Sequence, residues 1–80
     1  MKIKSKDLKI GDIFTESGLT LVVTKIKRDD LINGVEGYNI EAISIAFNKK
    51  MFPKNMKTGL TSYFHKKAET LISVRRGGSK

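Results

Sequence analysis

No part of this chain keeps its apolar residues on a helical period for about three turns, which removes folds built on helices from consideration. The segment from Lys4 to Ile10 comes nearest and amounts to one short turn. What remains are brief apolar runs rich in β-branched residues, punctuated by Gly11, Gly18, Gly34, Gly37, Pro53, Gly59, Gly77 and Gly78. Runs of that length between turn residues read as strands, because Val, Ile and Thr fit a pleated surface and Gly and Pro interrupt it.

Ile13-Phe14-Thr15 leads into a turn at Glu16-Ser17-Gly18, and Leu19 to Ile26 is the clearest strand. Its alternation puts Leu19, Leu21 and Val23 on one face and Thr20, Val22, Thr24 and Ile26 on the other. Asp29-Asp30 and Asn33-Gly34 mark the next connection. Tyr38 to Phe47 is apolar on both faces, Ile43, Ile45 and Phe47 against Ile40, Ala42 and Ala46, a pattern that implies a bulge or strong curvature. Residues 48–59 form a long basic loop in which Pro53 bars a central strand. Leu60 to His65 and Leu71 to Val74 are the last two strands, with the polar step Lys66–Glu69 between them sized for one 3₁₀ turn. The reading is all-β: a small antiparallel barrel of five or six strands, one domain over residues 1–76, and a flexible tail at 77–80. Its expected core is Leu8, Ile13, Leu21, Val23, Ile40, Ile43, Ile45, Leu60, Phe64, Leu71 and Val74.

Resemblance narrows this further. Lys6-Asp-Leu-Lys-Ile-Gly-Asp-Ile-Phe14, the turn at Gly18 and Leu21-Val-Val-Thr-Lys-Ile26 resemble the opening of SH3-like barrels of the translation-protein type, such as the N-terminal domain of elongation factor P. The match covers about a quarter of the chain and encodes a hairpin, so it implies a fold and no activity. The lysine or arginine that is modified at a hairpin tip in that family has no counterpart here, and no functional residue is carried over.

With 80 residues and no cysteine, the chain has neither a disulfide framework nor a thiolate metal site, and His65, its one histidine, makes no imidazole cluster. Apolar runs such as Leu19 to Val23, five residues interrupted by Thr20, fall far short of the roughly 20 residues of a membrane helix. The basic start, Met1 to Lys6, is not followed by the apolar stretch of a secretory signal, so a cytosolic location is expected. Catalysis is not expected either. Asp29 and Asp30 are neighbours that diverge on a strand or act as turn formers, and Gly77-Gly78 opens no helix that would cradle a phosphate. No cofactor or metal is expected.

Charge carries the functional signal. The formal net charge is +8, with nine Lys and Arg against two acidic residues in 41–80, and seven against six in 1–40. Such an excess points to a polyanion, bound by neutralising phosphates and releasing their counterions. Lys49, Lys50, Lys54, Lys57, Lys66, Lys67, Arg75 and Arg76 supply it. Tyr63 and His65 alternate outward on the strand that turns Phe64 and Leu60 inward, so their rings are placed to stack on unpaired bases. The expected function is non-specific or weakly specific binding of DNA or RNA through a strand-and-loop face, without a recognition helix. The rival expectation is a module that docks an acidic protein, with Met51, Phe52 and Met56 in the basic loop as its apolar contact.

Overall fold

The computed structural model describes residues 1–30, 33–52 and 57–76. Six strands among them form one antiparallel sheet: β1 (Lys2–Lys4), β2 (Asp12–Glu16), β3 (Leu19–Arg28), β4 (Gly37–Phe47), β5 (Thr61–Lys67) and β6 (Leu71–Arg76), in the spatial order β1-β6-β2-β3-β4-β5. The only helical piece among these residues is a 3₁₀ turn at Ser5–Asp7. The all-β class and the strand number agree with the sequence. The 3₁₀ turn expected at Lys66–Glu69 does not form there. Lys66 and Lys67 complete β5 instead, and a tight turn closed by Thr70 N–H donating to the Lys67 carbonyl (3.0 Å) follows.

The sheet curls strongly. Lying flat, β2 and β5 would stand roughly 14 Å apart, three strand spacings. Yet the rings of Phe14 on β2 and Phe64 on β5 meet edge to face with centroids 5.6 Å apart. Across the same gap Lys66 Nζ reaches Glu16 Oε1 at 3.1 Å. No ladder joins β1 to β5 among the described residues. The 3₁₀ turn bridges that side instead: Ser5 N–H donates to the Thr70 carbonyl (2.8 Å) and Lys6 N–H to that of Ala68 (3.1 Å).

Two bulges decide which residues face inward. On β4, Ala46 pairs with Thr20 and Ser44 with Leu21, leaving Ile45 as the extra residue. On β3, Val23 pairs with Ala42 and Lys25 with Glu41, leaving Thr24 extra. Each extra residue reverses the alternation beyond it. Leu21, Val23, Ile40 and Ala42 therefore line the core with Leu8, Phe14, Ile72 and Val74, and Ile26 joins that face rather than the outer one. The expected core needs correction at three positions, for Ile45, Leu60 and Leu71 are 46%, 51% and 62% exposed. Ile45 is the bulge. Leu60 lies before β5 begins, where its N–H donates to Ser44 Oγ at 3.1 Å. Leu71 sits three residues from Val74, and a two-residue period puts those two on opposite faces. Ile13 and Ile43 are half-buried, and Phe14 takes the inner position that Ile13 was expected to fill, because Phe14 pairs with Leu21.

Buried polar groups are satisfied. Ser5 Oγ donates to the Thr70 carbonyl (3.1 Å), Ser44 Oγ accepts from Leu60, and Asp12 Oδ2 accepts from Lys9 N–H (2.9 Å). The β2–β3 hairpin turns on two residues, Ser17 (φ 52°) and Gly18 (φ 82°), the left-handed pair of a type I′ turn. Gly18 is also a close-approach site: a Cβ there would lie 2.8 Å from Met51 Sδ. Residues 48–52 thus fold back over this hairpin, and Phe52 is half-buried edge-on against Phe47 at 6.0 Å.

Candidate functional site

The outer face of β3, β4 and β5 carries two cross-strand rows. Lys25, Glu41 and Tyr63 stand opposite one another in the first, and Lys27, Asn39 and His65 in the second. Directly opposed residues on one face sit about 5 Å apart, so the rows form a compact polar surface. Between them lies a groove of about 190 Å³ lined by Lys25, Lys27, Asn39, Ile40, Glu41 and Tyr63. Tyr63 is 75% exposed, and its position fits the expected alternation against half-buried Phe64.

Hydrogen bonds hold the rest of the groove in place. The bulge at Thr24 aims its hydroxyl at Glu41, donating to the backbone carbonyl (3.1 Å) and to Oε2 (3.0 Å). Asn39 Nδ2 donates to Asp29 Oδ2 (2.8 Å). His65 Nε2 lies 2.9 Å from the Asp29 carbonyl, so the ring carries its proton on Nε2 and donates it to that oxygen. His65 thereby anchors the start of the β3–β4 connection over Gly37, where a Cβ would stand 2.9 Å from its Cε1. Beyond it Arg28 pairs with Asp30 at 2.9 Å, which holds the Asp30 carboxyl below and the Arg28 guanidinium above their usual ranges.

The basic residues singled out by the sequence do not converge. Lys66 and Lys67 point to opposite faces of β5; Lys66 is committed to Glu16 and lies 5.9 Å from the Phe64 ring centre, whereas Lys67 is exposed. Lys49 and Lys50 follow the far end of β4, roughly 30 Å along the strand from Gly37, the partner of Lys67. Arg75 belongs to a different hollow, of about 260 Å³, shared with Met1, Ile13, Phe14, Thr15, Ser73 and Val74. Lys57 is exposed, while Lys54, Met56 and the side chain of Arg76 lie outside the described residues, as does the tail at 77–80.

Lys25, Lys27, Asn39 and Glu41 were not singled out by sequence reasoning. Their signal was the alternation of Thr24-Lys25-Ile26-Lys27, two lysines two residues apart on a strand. The surplus charge of the second half drew attention away from them. Comparison with family models, curated proteins and solved structures finds no match for this chain.

Proposed function

We propose that this protein binds single-stranded nucleic acid, DNA or RNA, on the outer face of β3–β5. The observation that carries the reading is an exposed Tyr63 in one groove with Lys25 and Lys27. An aromatic platform beside cations is what a flexible strand needs, since every base has a face to stack and every linkage a phosphate. Lys67, exposed at the end of β5 near the Lys27–Asn39–His65 row, extends the track. The +8 charge favours encounter with any polyanion. In this reading the curled antiparallel sheet is an SH3-like barrel, as the opening residues imply, and it acts in the cytosol without catalysing a reaction.

A salt titration tests it. Three lysines neutralising three phosphates of a single strand give a slope of log affinity against log salt of about −2. Single strands are expected to bind more tightly than duplex, because only unpaired bases reach Tyr63. Absence of binding at low salt, or binding indifferent to salt, would overturn the proposal. Exposed Met51, beside Lys49 and Lys50, favours the second reading, a dock for an acidic protein at the opposite end of β4. Replacing Met51, Lys49 and Lys50 together would then abolish protein capture and leave nucleic-acid binding intact.

A further inference from the structure

Glu41 is out of place in a groove built only for phosphates. A carboxylate repels them, yet this one stands between Lys25 and Tyr63 on the middle strand of the site. No lysine or arginine among the described residues comes within ion-pair distance of it. Its carboxylate and its backbone carbonyl share the Thr24 hydroxyl, which lies 3.0 Å from Oε2 and 3.1 Å from the carbonyl oxygen. That hydroxyl is delivered by the bulge on β3, so the carboxylate is oriented by the fold while Oε1 and one lone pair of Oε2 remain open. Asn39 donates one of its two amide hydrogens to Asp29, which leaves its side-chain oxygen and the second N–H open to a ligand. Between the lysines at the rim, then, the Glu41 carboxylate is the acceptor that the fold holds beside Tyr63.

From this geometry we infer that the groove reads the base stacked on Tyr63 and selects guanine, with Glu41 as the specificity-determining residue. The inference rests on the single-strand reading above. A base on Tyr63 extends its Watson–Crick edge across to the neighbouring strand, where Glu41 is the directly opposed residue. Guanine alone offers two parallel donors there, N1–H and the N2 amine, which match the two oxygens of a carboxylate. Adenine and cytosine offer one amine beside an acceptor nitrogen. Uracil offers one N–H flanked by two carbonyls that face the carboxylate unfavourably. Lys25 and Lys27 hold the phosphates on either side, which keeps the strand in the groove while the base is read.

The test uses the full chain and short oligouridine probes with one central guanosine, inosine, adenosine or cytidine, followed by fluorescence anisotropy. The guanosine probe is expected to bind about tenfold tighter than all-uridine, a bidentate pair against none. Inosine, which keeps N1–H and lacks the N2 amine, is expected to fall between them. Glu41→Gln should erase the preference for guanosine over inosine without changing the salt slope, and Thr24→Val should weaken the preference by freeing the carboxylate. Both substitutions are on the outer face, and an unchanged melt shows that the fold survives. Equal, salt-dependent binding of guanosine and uridine probes would overturn guanine selection and leave single-strand binding standing. Failure of every probe to bind would overturn both.

Discussion

The two faces of β3, β4 and β5 are made from alternate residues of the same strands and have almost nothing else in common. Inward point Leu21, Val23, Ile40 and Ala42, each at most 1% exposed, with half-buried Phe64 closing the curl against Phe14. Outward point Lys25, Lys27, Asn39, Glu41, Tyr63 and His65, which stand opposite one another in the ladder and, through Asn39 and His65, hold Asp29 at the start of the β3–β4 connection. The pleat separates stability from recognition by a single step along the chain. A substitution at one position should therefore move the melting curve and at the next only the binding curve.

The largest effect is expected inside. Phe14→Ala should cost about 3–5 kcal/mol and Leu21→Ala about 2–5, through lost burial and the cavities left behind. At roughly 0.05–0.15 kcal/mol per residue, a chain of 80 residues has little beyond that to lose. Thermal melts followed by far-UV circular dichroism measure it, and an unchanged melt of Phe14→Ala would erase the distinction between the faces. Next comes Tyr63→Ala, expected to weaken single-strand binding by about 1–3 kcal/mol and to leave the melting temperature in place. A melt shifted as far as that of Phe14→Ala would mean that Tyr63 belongs to the core. Replacing Lys25 and Lys27 by Ala together should flatten the salt slope by about 1.4, at roughly 0.7 per phosphate. The same exchange at Lys49 and Lys50 should leave the single-strand slope alone.

The smallest effect lies outside the comparison and calibrates it. Glu69 accepts hydrogen bonds from Lys4 (2.8 Å) and Lys6 (3.3 Å), which lower its pKa and raise that of Lys4. A carboxylate whose folded pKa is lowered stabilises the fold above its ordinary value of 4.5, and that contribution fades as pH falls through the folded value. Glu69→Gln should thus reduce the loss of melting temperature between neutral and acidic pH, slightly, because the pair is solvent-exposed.

What could be read from the sequence follows the range of the interaction responsible. Strands β2 to β6 were legible because each carries its own apolar run between turn residues. Strand β1 was not, since Lys2-Ile3-Lys4 has one apolar residue and is a strand only by pairing with β6. Faces were legible where alternation is unbroken, as at Tyr63 and His65. They were illegible past Thr24 and Ile45, where a bulge is defined by counting residues on two strands at once. The same limit governs the site. Lys66 looked free because nothing local shows that the curl of the sheet brings Glu16, fifty positions away, to its amine. Glu41 looked incidental because its meaning depends on Tyr63 and Thr24, which only the ladder places beside it.

The pairing of Lys2 with Ser73 has a temporal side. Among the described residues β1 pairs with β6 and with no other strand, so its place in the sheet depends on a contact between distant parts of the sequence. Hairpin β2–β3 closes over a two-residue turn and is free to assemble early, whereas β1 docks across a loop of some seventy residues, whose closure entropy delays it. During that interval the inward side of Ile72 and Val74 lies along an unpaired margin of the sheet, and the lysines at positions 2 and 4 arrive as a charged edge that seals it. A refolding chain would pass through this half-sealed state, which gives the short β1 the part of covering an edge otherwise open to mispairing with other chains.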